Sequence, residues 1–243
     1  MLLLVLLFSC SVISVKLPVH WPKCLHGAGM NECLKNAMQL AIKDLANGSK
    51  SLGVPPLDPW PYTKLEYSQK HKPVALYAVA SDSETTGLRN STIHSVWTDW
   101  EKMEIQMSSP RIKIKGNYLI NGTLIFFPLS GQGEYSVVFE GFKAEIKMLF
   151  EKYRKSGHEY IRVKRAMFHP DAENVSVHMT GLFNGNKVLS ERTIALINKN
   201  WKFILVTVAP LVSETSAIPI VDVCNSIFSR VPVREFIPEK KLY

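Results

Sequence analysis

Seven histidines, four cysteines and the G-x-G triplet at residues 131–133 are features of this 243-residue sequence suited to metal ligation, nucleophilic attack or phosphate binding. Their spacing supports none of these. His20, His26, His71, His94, His158, His169 and His178 are scattered singly, without the short intervals of a metal-binding pair. Gly131-Gln132-Gly133 lies between two strand-like runs and reads as a corner of the chain, not a phosphate cradle. G-x-S-x-G, H-E-x-x-H, C-x-x-C and the P-loop are absent. The reading is therefore non-enzymatic, with no catalytic residue, metal or cofactor. A lipid hydrolase would need a site assembled only in three dimensions.

The cysteines carry a different chemistry. Residues 2–8, LLLVLLF, form a short apolar run, and Val12-Ile13-Ser14 fits a signal-peptidase site. The run is too short to span a bilayer. Residues 1–14 are thus expected to be a secretory leader, although no Lys or Arg precedes the run; an uncleaved anchor is the alternative. The remaining chain, 15–243, is expected to be one extracellular domain. Asn47, Asn90, Asn121 and Asn174 head N-x-S/T triplets and are candidate glycosylation sites. Secretion makes disulfides possible. Cys10 leaves with the leader, so Cys24, Cys33 and Cys224 remain, an odd number. The near pair, Cys24 and Cys33, is the natural bridge. Cys224 lies in an apolar stretch and is expected to be a buried free thiol.

The elements around these residues have clear periods. From Asn31, the apolar residues Leu34, Met38, Ala41, Ile42 and Leu45 mark one face of a helix. Asn31 is expected to cap its start and Asn47-Gly48 its end. Lys35, Gln39 and Lys43 occupy the opposite, solvent face. "SLGVPPLDPW", residues 51–60, then forms a stiff strut, because proline fixes φ and removes a donor. Over roughly 62–195 the period becomes two. Met103, Ile105 and Met107 alternate with Glu104, Gln106 and Ser108. Ile112 and Ile114 follow, then Val137 and Phe139, then Phe142, Ala144, Ile146, Met148 and Phe150, and lastly Val175, Val177 and Met179. Asn121-Gly122 is a hairpin-turn signal, and Gly116-Asn117 marks a further corner. This is an antiparallel meander with one apolar face. Whether Leu124 and Phe126 or Ile125 and Phe127 face inward is left open by the alternation.

From Asn198 the chain is apolar nearly all round, with Pro210 and Pro219 inside. The spacing of Trp201, Ile204, Leu205, Val208, Leu211 and Val212 predicts a long, locally kinked helix of roughly 45 Å, capped by Asn198 or Asn200. A helix apolar all round must be enclosed, and the sheet is the one element large enough to enclose it. The fold class is therefore α+β, a curved antiparallel sheet wrapped around a carboxy-terminal helix. Met103, Met107, Met148, Met167 and Met179 make an adaptable apolar interior. Candidate lining residues of a cavity along the helix are Met103, Ile105, Met107, Phe126, Phe139, Met148, Trp201, Leu205 and Val208. The net charge of +8 is spread singly, as in Arg111, Lys113 and Lys115, so nucleic acid is not expected. Transient contact with an anionic membrane surface is the alternative that this charge supports.

Several stretches together carry a resemblance. The C-x₈-C pair with its helix and "LGVPPLDPW" resembles the amino-terminal signature of the takeout and juvenile-hormone-binding proteins. "IKGNYLINGTLIFFPLSGQGEY", "GLFNGNKVLSERTIALINKNW" and "SIFSRVPVREFIP" extend it in order over almost the whole mature chain. The resemblance implies a secreted, insect-associated, monomeric carrier of an elongated hydrophobic small molecule of terpenoid, quinone or fatty acyl type. It implies an internal tunnel, in an architecture similar to tubular lipid-binding modules. Roles in hormone, circadian, feeding or chemosensory signalling would follow. The hormone-binding members carry a second disulfide, for which Cys224 has no partner here, so the takeout branch fits better. A lipid-transfer protein acting on anionic membranes is the alternative function.

Overall fold

Helix α1, Met30–Asp44, is set by the loop before it: Gly27 and Gly29 take left-handed φ, and the Cys33 N–H donates to the Gly29 carbonyl. The computed structural model describes residues 15–70, 74–125 and 127–237. The leader read over 1–14 and the candidate Phe126 lie outside these residues. Asn31 does not cap α1. Gly29 occupies that position, and the Asn31 Oδ1 atom is buried without a hydrogen-bond partner. Cys24 and Cys33 are bridged across nine residues, joining the amino-terminal segment to the first turn of α1. Replacing both by Ser should lower stability by about 2–3 kcal/mol, the loop entropy expected for so short a ring. A urea melt with an unchanged midpoint would show that the bridge constrains nothing.

The proline-rich segment is pinned, as its stiffness requires. Leu57 and Asp58 donate backbone N–H groups to the carbonyls of Leu45 and Ala46, and Ser49 pairs with Val54. Leu52, Val54 and Leu57 bury themselves with Trp21, Leu45 and Val231 in a small cluster at the end of α1. The strut thus holds the helix end while the chain enters the sheet.

Among the described residues, seven antiparallel strands form a curled half-barrel. They are β1 Trp60–Gln69, β2 Val74–Thr86, β3 Thr92–Thr98, β4 Lys102–Leu124, β5 Phe127–Lys155, β6 His158–Asp171 and β7 Asn174–Met179. The order is β1-β2-β4-β5-β6, with β3 beside β4 and β7 beside β5. The two long strands each change partner midway. β4 pairs with β3 over one half and β2 over the other, and β5 changes from β7 to β6. At this seam the buried positions shift parity, from Met107 and Ser109 to Ile112 on β4, and from Phe139 to Phe142 on β5. Pro110, which cannot donate to a ladder, and Gly141, at φ +57°, occupy the seam.

Three turns read from sequence are not turns. Asn121-Gly122 lies inside β4, opposite Ser130 and Leu129; the chain reverses just beyond it, where Ile125 adopts φ +59°. Gly122 serves close strand approach, since a Cβ there would come within 2.4 Å of the Ala75 carbonyl. Gly116-Asn117 and Gly131–Gly133 are likewise paired residues of β4 and β5.

The meander also ends earlier than expected. Lys187–Lys199 is a helix, α2, whose start is capped by the Asn186 side chain accepting from the Leu189 N–H. Helix α3, Trp201–Phe228, follows, and then the short α4, Val233–Phe236. α3 is not a straight rod. Its arms, Trp201–Pro210 and Val212–Phe228, meet at 71°, as expected where Pro210 lacks its N–H and crowds the preceding turn. Nor is it enclosed on every side. Ala209, Ser213 and Ala217 are buried, but Phe203, Val206 and Ile218 are exposed, because the sheet is open on one flank.

Side-chain amides fasten the helices to the sheet. Asn225 of α3 accepts from the Val163 N–H at 2.7 Å and donates to the Val163 carbonyl at 3.0 Å on β6. Asn198 of α2 does the same at Val177 on β7. Gln39 of α1, expected on the solvent face, instead bridges the Ser91 carbonyl and the Ile93 N–H beside β3. Ser213 adds a bond from the Phe168 N–H. Each satisfies strand-edge groups that no neighbouring strand reaches.

Candidate ligand cavity

The inward residues of β4 and β5 meet α3 over an open space. Alternation, with its change of parity at the seam, brings Met107, Ile112 and Ile114 of β4 to one side, and Phe139, Phe142 and Ile146 of β5 beside them. Leu205, Val208, Ala209 and Val212 of α3 face them, with Ile42 of α1 at one end. The result is a cavity of about 480 Å³ in which, among the described residues, no lining residue is charged. At roughly 30 Å³ per water-sized group, it holds a chain of about 16 such groups.

Of the residues singled out from sequence, the structure brings Met107, Phe139, Leu205 and Val208 together on the cavity wall. Met103, Ile105 and Met148 are buried on the same face, but in the adjoining core with Trp100, Ile161 and Val163. They support the wall without lining it. Trp201 begins α3 and does not line the cavity. Phe142, Ile146, Phe168 and the hydroxyl-bearing Tyr62, Thr85 and Tyr135 line it and were not singled out. The parity change between Phe139 and Phe142 was the available signal for the first two.

Cys224 is unpaired and sits on the cavity wall. Its side chain counts as half-exposed because part of it faces the internal space; the thiol itself is surrounded by protein, and burial pushes its pKa up to about 12. The thiolate is the reactive form, so Cys224 should resist iodoacetamide at pH 8 in the folded protein and react fully in urea. Rapid labelling of the native protein would contradict this burial. The sign for stability follows. The unfolded thiol ionises first, near pH 9, so this group's contribution falls as pH rises from about 9 to about 12.

A second, more polar cleft of about 550 Å³ lies between β1 and α3. It shares Trp60, Tyr62, Leu65, Pro219 and Val223 with the apolar cavity. Since α3 is fastened along β6, the opposite flank, at β1, is where the interior reaches solvent. Among the described residues, no three His, Cys, Asp or Glu side chains gather as a metal site.

An apolar cavity between a curled sheet and a carboxy-terminal helix is what the sequence resemblance led one to expect. The model of the haemolymph juvenile hormone binding protein family matches residues 2–238. The chain belongs to that family. Circadian clock-controlled protein daywake of Drosophila melanogaster is 21% identical over 140 residues, 57% of this chain and 54% of the relative. Its Drosophila yakuba counterpart is 21% identical over 166 residues, 65% of this chain and 64% of the relative. The matched region thus spans less than two thirds of either relative. Epiphyas postvittana Takeout 1 superimposes with a TM-score of 0.73 at 22% identity, covering 89% of this chain and 99% of that one. As in that structure, the juvenile hormone binding protein fold here is a curled sheet against carboxy-terminal helices.

Proposed function

We propose that this chain is a secreted, non-enzymatic carrier of an elongated hydrophobic small molecule held in the apolar cavity. The observation that carries the reading is a space of about 480 Å³ with no charged residue on its wall among the described residues. Such a space is costly to leave unfilled beside solvent and is shaped for an apolar chain. Burying about 400 Å² of ligand yields up to roughly 10 kcal/mol, against a cost of at least about 4 kcal/mol in lost freedom. The net of about 6 kcal/mol corresponds to a dissociation constant of roughly 40 μM, reached without any catalytic contribution. The name of the family supports an extracellular, haemolymph-type setting, as does the Cys24–Cys33 bridge. Asn47, Asn90, Asn121 and Asn174 are all exposed and accessible to glycosylation. The relatives described as clock-controlled support a role in hormonal or circadian signalling. Met107, Phe139, Leu205 and Val208 are the proposed ligand contacts, with Met103, Ile105 and Met148 behind them. Titration with a fluorescent fatty probe, then displacement by terpenoid and acyl compounds, tests the reading; a protein that takes up no probe is not such a carrier.

One observation favours a second reading, docking to anionic lipid surfaces. Val188, Leu189 and Leu196 of α2, and Phe203 and Val206 of α3, are exposed, the last two at 56% and 66%. Lys187, Arg192, Lys199 and Lys202 lie among them, with Glu191 the one acid in residues 187–206. Apolar and basic residues on one pair of helices fit a membrane interface. Sedimentation with anionic vesicles, reversed by salt, distinguishes this reading from a carrier that stays in solution.

A further inference from the structure

The apolar cavity contains one built polar feature. Tyr62 of β1, Ser83 and Thr85 of β2, and Tyr135 of β5 converge where the cavity meets the β1–α3 cleft. The Tyr135 hydroxyl lies 3.0 Å from Ser83 Oγ and 3.3 Å from the Tyr62 hydroxyl, and Ser83 donates to the Ser81 carbonyl at 3.2 Å. Ser83 and Thr85 are only 2% and 8% exposed. The backbone is shaped to place them. The β2–β4 register shifts between Ser81 and Glu84, and Asp82 adopts φ +47°, so a bulge turns Ser83 toward the interior. Gly116 makes the room: a Cβ there would lie 2.4 Å from Ser83 Oγ and 2.8 Å from the Ser81 carbonyl.

We propose that the Tyr62–Tyr135–Ser83 hydroxyl cluster is a head-group site that selects chains ending in an uncharged oxygen function, an alcohol, aldehyde, ketone or ester, over carboxylates. This rests on the carrier reading above. The proton arrangement leaves Tyr62 available. Ser83 spends its single hydrogen on the Ser81 carbonyl, so its oxygen accepts from Tyr135, whose oxygen accepts from Tyr62 across the longest link of the chain. The Tyr62 oxygen can accept from a ligand hydroxyl, and its hydrogen can turn to a ligand carbonyl. Burial, and then the neighbouring Tyr135, raise the Tyr62 pKa, so it stays a neutral phenol.

A carboxylate finds no partner. Among the described residues the cavity wall carries no cation, and an ionised head placed there would be buried unpaired. Among the described residues the cleft outside is lined by Asp82, Glu84, Asp222 and Lys64; Glu84 pairs with Lys115 at 2.8 Å and Lys64 with Glu66 at 2.7 Å, which leaves Asp82 and Asp222 without a counter-ion there. The mouth is therefore acidic on a chain whose net charge is +8.

Matched twelve-carbon probes test this by displacement of a fluorescent dye at pH 7.5: dodecanol, dodecanal, dodecanoate and dodecane. Dodecanol and dodecanal should bind about 10-fold or more tighter than dodecanoate. Tyr62→Phe should weaken both by about 3- to 10-fold, the loss of one neutral hydrogen bond, and leave dodecane unchanged. Ser83→Ala, which fits the same space, should weaken them less and in the same direction. Equal binding of dodecanol and dodecanoate, or a Tyr62→Phe protein that binds dodecanol as well as the wild type, overturns the head-group site while dodecane binding still upholds the carrier. If none of the four probes displaces the dye, the carrier reading itself fails.

Discussion

Met107→Trp should weaken binding of sixteen-carbon and longer ligands by about 5- to 150-fold, with a much smaller effect on eight-carbon ones. Met107 of β4 lines the cavity wall, with residues of α3 lining it as well. An indole there occupies space a long chain must cross, and overfilling costs about 1–3 kcal/mol, which converts to that range. Short ligands can settle to one side. The fold should survive, because the added volume enters open space and not close-packed core. Gln106→Trp is the paired control, since Gln106 points to solvent from the same strand. Dye titration of both variants, with a thermal melt to confirm folding, checks the result. A loss of binding in Gln106→Trp and none in Met107→Trp would mean that the ligand lies on the other face of β4.

Asn225→Ala should lower stability by about 2–5 kcal/mol. The mutation removes both hydrogen bonds to Val163, a residue only 3% exposed, and so leaves a buried N–H and a buried carbonyl unpaired. Each such group costs about 1–3 kcal/mol. Asn198→Ala breaks the equivalent pair at Val177, but that residue is half-buried, so water recovers part of the loss. Urea denaturation should rank the two variants in this order. Equal, small losses would show that the amide bridges follow helix docking without securing it.

These two residues also show what a single sequence discloses. The inward face at Met103–Met107 was legible because charged or amide neighbours flank every apolar residue, and a strand has only two faces. The parity change from Phe139 to Phe142 was equally visible and marks the seam at Gly141, where β5 changes partner. By contrast, Asn225, Asn198 and Gln39 look like ordinary helix polar residues. Their partners are backbone groups of strands between 21 and 62 residues away. No local pattern encodes such a contact.

The misread turns have a related cause. Asn-Gly at 121–122 has hairpin chemistry, but glycine also permits close backbone approach, and three strands crowd together there. Helix α2 was legible in principle from Leu189, Thr193, Leu196 and Ile197, spaced for one helical face, with Asn186 ahead of them as cap. Its apolar residues instead seemed to prolong the strands before it. Full enclosure of α3 did not hold because apolar composition alone cannot tell a buried face from one left exposed. Phe203 and Val206 are exposed beside lysines, a pattern that fits an interface as well as an interior. The hydroxyl cluster was beyond reach, since a bulge at Asp82 decides where Ser83 points.

The most direct measurement is native mass spectrometry of the protein produced in insect cells, treated with a glycosidase and kept free of detergent. The account predicts a second species heavier than the polypeptide by one small uncharged lipid, lost on solvent extraction and regained on adding dodecanol. A bare polypeptide mass that stays bare after incubation with every alcohol, ester and terpenoid supplied would contradict it.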